Sequence, residues 1–155
     1  MSEETGRRGT AGADAPGTAH EERAVDLAQR LFEHARAGRT EALCAWLDHG
    51  LPVDAADAEG STLLALAASH GHVETVEALL SRTADPDRAD NRGRTALGMA
   101  VLNDRQDVVT ALVRAGADPY RGSPSAEESA RFLGRPDLLM AIGIDDDDPL
   151  SPGRG

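Results

Sequence analysis

The sequence predicts an all-α fold, in which about four helix-turn-helix repeats stack into a solenoid and β-turn fingers join them. Residues 60–86 recur as residues 93–119, so the chain has an internal period of 33 residues. The two copies match in their glycines, in their apolar positions and in a closing Ala-Asp-Pro triplet. A fixed period of this length, with apolar residues at helical spacing inside it, indicates repeats that bury a shared core.

The first repeat is predicted to open with a helix that begins at Glu21 and ends at Gly38, a residue suited to a left-handed helix end. Residues at i, i+3 and i+4 spacing give this helix one apolar stripe, made of Val25, Ala28, Leu31, Phe32 and Ala35. A second helix follows Thr40. Trp46 lies one period before Leu79, so Trp46 is predicted to belong to the core.

The second and third repeats are predicted to share one plan. The Thr62 hydroxyl caps the first helix, and Gly71 ends it. The third repeat has Asn103-Asp104-Arg105 at that turn, and Asn and Asp tolerate the left-handed conformation.

Thr83 is a predicted weak point at the end of the return helix in the second repeat. Gly50 and Gly116 occupy the equivalent position in the neighbouring repeats, where the chain usually turns left-handed. Because Thr is β-branched, a left-handed turn there is expected to cost on the order of 1 kcal/mol.

A truncated closing repeat is predicted after Pro119. The next finger, YRGSP, is about three residues short of the period. Ser125 and Glu128 have the spacing of a capping box, at the start of a helix predicted to run through Phe132. Gly134 and Pro136 then precede a last helix, over Leu138, Leu139 and Ile142.

Composition favours a soluble, cytoplasmic protein. The net charge of −11 argues against non-specific nucleic-acid binding, which needs a basic surface. No apolar run approaches the length that spans a bilayer, and the start MSEETGRRGT lacks the apolar core of a signal peptide. Cys44 is the single cysteine, so no intramolecular disulfide is possible. The absence of Lys, with abundant Ala, Gly, Asp and Arg, indicates a GC-rich bacterial genome.

The repeat resembles an ankyrin repeat. The resemblance is carried by G-x-T at Gly60–Thr62, A-A-x-x-G-H at Ala67–His72 and A-D-P at Ala84–Pro86. It implies a monomeric ankyrin domain at 21–144, with repeats at about 24–57, 58–90 and 91–122 and a cap at 123–144. Disordered tails are expected at 1–20 and 145–155, the second of them acidic.

The sequence departs from the ankyrin pattern after the motif Thr. The family's Pro and His are Leu63 and Ala65 in the second repeat, and Ala96 and Gly98 in the third. Because the family's His ties each finger to its neighbours, its absence predicts looser fingers.

No catalytic, metal or cofactor site is predicted, and the chain is not expected to be an enzyme. The five histidines do not combine with Cys44 at zinc spacing, and Cys44 has no recognisable base. The run Asp145–Asp148 lacks the calcium-loop spacing, and no phosphate loop or nucleophile elbow is present. His72 matches a structural histidine of the ankyrin pattern, whereas His70 is expected to be exposed on the concave side.

The resemblance implies a non-enzymatic module that binds a partner protein through a concave surface of fingers and inner helices. We expect the variable, partner-facing positions to be dispensable for packing. In the second repeat these are Ala58, Glu59, Ser61, Ser69 and His70; in the third they are Asn91, Arg92, Arg94, Leu102 and Asn103. Arg92 and Arg94 would form a basic spot suited to an acidic partner.

Two alternatives stay open. The concave surface would be merely solvated if the chain used another surface. The chain would be an accessory protein of one bacterial enzyme if it acts like some similar bacterial ankyrin proteins, which are linked to peroxide protection through a catalase. No residue points to that enzyme.

Overall fold

A computed structural model of the chain describes residues 16–144, with residues 16–25 described by their backbone alone. This part of the chain is helical, without strands beyond two isolated bridges, Ala56–Thr62 and Gly122–Ser125. The helices are α1 (Pro16–Ala37), α2 (Thr40–Asp48), α3 (Leu63–Ser69), α4 (Val73–Ser81), α5 (Ala96–Leu102), α6 (Gln106–Arg114), α7 (Ala126–Phe132) and α8 (Pro136–Ala141). The predicted all-α class is therefore confirmed.

Contacts divide the chain into two units, Met1–Leu31 and Phe32–Gly155, with the boundary inside α1. In the first unit the described residues form the greater part of α1, where an exposed ion pair joins Asp26 and Arg30 at 3.2 Å. The second unit contains all the helices from α2 to α8.

Two rows of helices build the second unit. The inner helices α3, α5 and α7 pack side by side, and so do the outer helices α2, α4, α6 and α8. Each inner helix also packs against the outer helix that follows it, as α3 does against α4. The two helices of each repeat therefore pack against each other and against the adjacent repeats, as a helical solenoid requires.

The residues that recur with the 33-residue period form the core of this unit. Eight of them are buried to 1% exposure or less: Leu64, Leu97, Ala67, Ala100, Val76, Val109, Leu79 and Leu112. Burying a side chain of Leu or Val size contributes about 1.5–3 kcal/mol, so these matched pairs are the main source of cohesion between layers. The alanines let α3 and α5 lie close together.

Predicted caps and turns hold the helices in place. The hydroxyls of Thr62 and Thr95 accept hydrogen bonds at 3.1 Å from the backbone N–H groups of Ala65 and Gly98. Ser125 and Glu128 form the predicted capping box. Asp104 has φ +55°, which confirms that an aspartate takes the left-handed position at the inter-helix turn of the third repeat.

The N-terminal region departs from prediction. Helix α1 begins at Pro16, so the tail predicted at 1–20 is wrong for residues 16–20, while residues 1–15 and 145–155 lie outside the described range. Ala28 of the predicted apolar stripe is exposed, and the Val25 side chain is not described. Trp46 is only half-buried, whereas Leu79 and Leu112, at the same position in the next two repeats, are fully buried.

No helix among residues 16–144 is both long and apolar enough to cross a membrane.

Candidate functional site

Two rows of residues carry the predicted partner-facing positions. The finger row consists of the loop tips 57–61, 90–94 and 120–123. The helix-end row consists of the last residue of each inner helix and the residue after it, at 69–70, 102–103 and 132–133. We call the two rows together the finger-helix surface.

One aspartate organises each of the first two fingers. Asp57 Oδ1 accepts hydrogen bonds at 2.9 Å from the backbone N–H groups of Glu59 and Ser61. Asp90 Oδ1 does the same for Arg92 and Arg94, also at 2.9 Å. These bonds close each turn from within the finger. They stabilise the fingers in the absence of the histidine that the ankyrin pattern has after the motif Thr.

Asp90 has a second partner, which changes the role expected of Arg94. The Arg94 guanidinium donates to Asp90 Oδ2 from Nε at 2.8 Å and lies within 2.7 Å of it through Nη2. Burial alone would raise the pKa of Asp90, but hydrogen bonds from the Arg94 backbone, the Arg94 side chain and the Arg92 backbone outweigh burial and lower it. Asp90 is therefore held as a buried carboxylate.

Backbone hydrogen bonds link successive fingers. Asn91 N donates to Glu59 O at 2.9 Å, and Asn91 Nδ2 donates to Ala58 O at 3.2 Å. Ser123 N donates to Gly93 O at 2.8 Å, which ties the third finger to the second. A surface whose loops are already ordered loses little conformational entropy when a ligand binds.

Aspartates at the base of the fingers add a second set of links. Asp54 Oδ1 accepts from Asp85 N at 2.8 Å, and one repeat later Asp87 Oδ1 accepts from Asp118 N at 2.7 Å. The finger row is therefore fixed at its tips and at its base.

The helix-end row is polar in the second repeat and partly apolar in the third. Ser69 Oγ and His70 Nδ1 both lie within hydrogen-bond distance of Leu66 O, at 3.1 and 2.9 Å. Asn103 Nδ2 donates to Met99 O at 2.8 Å. Leu102 makes no polar contact of this kind and remains 41% exposed.

Most of the predicted partner-facing residues are accessible, and two are not as expected. Seven are exposed: Ala58, Glu59, His70, Asn91, Arg92, Leu102 and Asn103. Ser69 is half-buried. Ser61 is only 6% exposed and its backbone closes the Asp57 turn, so the expectation that it is dispensable for packing is wrong. Arg94 forms an ion pair with Asp90, so the expectation that Arg94 is dispensable for packing is also wrong.

The structure adds residues of the last repeat that the 33-residue period does not reach. Because the last finger is short, Ser125 caps α7 as Thr95 caps α5, at a spacing of 30 residues. With this spacing Phe132 takes the position of Leu102, and Phe132 is 87% exposed. Aligning the two N-caps would have shown this equivalence in the sequence.

His72 has the structural role expected of it. Its Nε2 lies 2.7 Å from Arg36 O in the preceding repeat. Its ring also fills the space above Gly38, where a Cβ would come within 2.5 Å of Nδ1. His70 stacks beside it, with ring centroids 6.2 Å apart and planes 4° from parallel.

Among the described residues, no group of three His, Cys, Asp or Glu side chains is placed to hold a metal ion. Cys44 is a free, half-buried thiol.

A stack of helix pairs joined by linked fingers defines a helical repeat protein. The family model described as ankyrin repeats (3 copies) matches residues 31–122, and the chain belongs to the ankyrin-repeat family. Ankyrin repeats are generally protein–protein interaction modules and typically are not enzymes. A search of curated proteins found no match to this chain.

Proposed function

We propose that this chain is a non-enzymatic adaptor that binds a partner protein through the finger-helix surface, which is the concave side of an ankyrin array. The observation that carries the proposal is a contrast between repeats. The matched core positions keep their residue from the second repeat to the third, whereas the predicted partner-facing positions change, from exposed Glu59 to Arg92 and from half-buried Ser69 to exposed Leu102. Packing accounts for the first pattern but not for the second.

The experiment compares substitutions on this surface with matched substitutions elsewhere. Arg92→Glu with Leu102→Ala changes two exposed side chains of the finger-helix surface. Arg114→Glu with Met140→Ala makes a matching charge reversal and a comparable loss of an apolar side chain at exposed positions of the outer helices. Arg94 is left intact, because reversing its charge would place two carboxylates together at a buried site and disturb the finger.

We expect a protein captured from native lysate by the wild-type chain to be lost with the first variant and retained with the second. Both variants should melt within a few degrees of wild type, because substitutions at exposed positions usually change stability by less than about 0.5 kcal/mol. A partner that binds both variants equally well would show that another surface carries the function.

A further inference from the structure

At one position of the helix-end row, the side chain becomes larger and more apolar from the second repeat to the fourth. The residue that ends the inner helix is Ser69 in α3, Leu102 in α5 and Phe132 in α7. Because α5 and α7 pack side by side, Leu102 and Phe132 end neighbouring helices. Single exposed apolar side chains are common on protein surfaces, so Phe132 alone would indicate nothing. Leu102 and Phe132, however, are two apolar side chains at equivalent positions of adjacent repeats, so they belong to one row.

The fingers of the same two repeats carry arginines without acidic partners. Arg92 and Arg121 are exposed, and neither makes an ion pair within residues 16–144. The hydrogen bond from Ser123 N to Gly93 O joins their fingers directly. The equivalent finger of the second repeat has Glu59 in place of Arg92, so the basic character begins only at the third repeat.

Three acidic side chains of this region are paired with arginines. Asp90 binds Arg94, Glu127 binds Arg131, and Asp104 binds Arg135. Glu128 accepts from Ser125 N in the capping box. These carboxylates therefore do not pair with the two finger arginines, which are exposed cations on a chain whose net charge is −11.

We propose that the finger-helix surface of the third and fourth repeats recognises an acidic protein segment that presents a large apolar side chain. The inference rests on the proposed function and adds the chemistry of the partner. Arg92 and Arg121 would bind its carboxylates by charge-assisted hydrogen bonds. Phe132 and Leu102 would contact its apolar side chain, since buried aromatic and arginine side chains provide most of the energy in protein interfaces.

A nucleic acid also combines negative charge with surfaces that stack on aromatic side chains. It fits this molecule less well, because binding to its backbone needs many basic contacts and the chain carries a strong overall negative charge.

The test is selection of a displayed random-peptide library against the full chain. We expect the enriched peptides to combine Asp or Glu with Leu, Ile, Phe or Trp. The double variant Arg92→Glu with Arg121→Glu should bind these peptides about tenfold or more weakly. A selection against this variant should enrich peptides rich in Lys or Arg. Phe132→Ser should weaken the wild-type peptides by a similar factor, whereas Met140→Ser should not, although Met140 is 76% exposed.

Several outcomes would overturn the inference. Enriched peptides without acidic residues would do so, as would peptides that bind the charge-reversed chain equally well. If a labelled single-stranded oligonucleotide binds more tightly than the selected peptides, the ligand belongs to a different class. If the chain self-associates and charge reversal abolishes this association, the ligand is a second copy of the chain. If the cellular partner is lost with Arg92→Glu and Leu102→Ala while the peptides are not acidic, this inference fails and the proposed function stands.

Discussion

Thr83 occupies a backbone conformation that its side chain disfavours. Its φ is +65°, in the left-handed region, as the neighbouring repeats predicted from Gly50 and Gly116, which have φ +99° and +90°. A Cβ in this region crowds the adjacent carbonyl group, and branching at Cβ adds to the crowding. The Thr83 hydroxyl lies 2.5 Å from Arg82 O, the carbonyl oxygen of the preceding residue.

Thr83→Gly is expected to raise the free energy of unfolding by about 1 kcal/mol, which corresponds to a rise of a few degrees in Tm. The gain comes from removing strain in the folded state and exceeds the entropy that glycine adds to the unfolded chain. Thermal and urea denaturation would measure it. Thr83→Ala is the control, because it keeps the Cβ and should gain less. A lower Tm for the glycine variant would mean that the threonine contacts outweigh the strain.

At the scale of the element, an aspartate carboxylate supports each of the first two fingers. Asp90 is the stronger case, since it accepts from two backbone N–H groups and from Arg94. Asp57 makes the same backbone bonds, but its ion pair with Arg36 is longer, at 3.4 Å. The two fingers thus offer a natural comparison of one turn with and without a close guanidinium.

Asp90→Asn should lower the free energy of unfolding at neutral pH by about 1.5–3 kcal/mol, the usual worth of hydrogen bonds to a charged group. Asp57→Asn should cost less, because it keeps the backbone acceptor and loses only the longer ion pair. Urea denaturation of both variants beside wild type would measure the difference. Equal losses for the two variants would show that Arg94 adds nothing to its finger.

The effect of Asp90 should also depend on pH. Its folded pKa is below the ordinary value of 3.8, so on acidification the unfolded chain binds the proton first. The contribution of Asp90 is therefore complete above the ordinary pKa and declines as the pH falls through the lower, folded pKa. Unfolding measured from neutral pH to below pH 3.8 should show wild type and Asp90→Asn converging in stability. A constant gap would exclude this ionisation as the cause.

At the scale of the whole molecule, each repeat depends on its neighbours. Helices α5 and α6 have a repeat on both sides within the second unit, whereas among the described residues α7 and α8 are covered by a repeat on one side. In such an array stability is close to a sum of repeat and interface contributions. The last repeat is thus expected to open at lower free energy than the third.

Leu138→Ala tests this expectation, because Leu138 is 1% exposed in α8. The change should cost about 2–5 kcal/mol within the last repeat, as buried Leu→Ala changes do. Hydrogen exchange should then accelerate in α7 and α8 while α3 and α4 keep their protection. Leu112→Ala, in the central α6, is the comparison and should accelerate exchange in the repeats on both sides. Uniform acceleration by Leu138→Ala would indicate a single cooperative unit.

The sequence alone determined the periodic part of this molecule. Matched residues 33 positions apart predicted the helix pairs, the cap at Thr62 and the left-handed turns at Asp104 and Thr83, and the capping-box spacing of Ser125 and Glu128 predicted the last cap. These features depend on neighbours within a few residues, or on contacts repeated at a fixed spacing. Both kinds of information can be read from one chain. The resemblance to ankyrin repeats then implied which of the remaining positions face a partner.

Only the tertiary structure decided which of those remaining positions are available to a partner. Ser61 and Arg94 matched the variable positions, yet one closes a turn and the other neutralises a buried carboxylate. The 33-residue period did not align Phe132 with Leu102, because a shortened finger reduces the spacing to 30 residues. Exposure and ion pairing depend on where side chains from separate turns and repeats meet. Spacing along the chain identifies the candidates, but three-dimensional packing determines which of them face solvent.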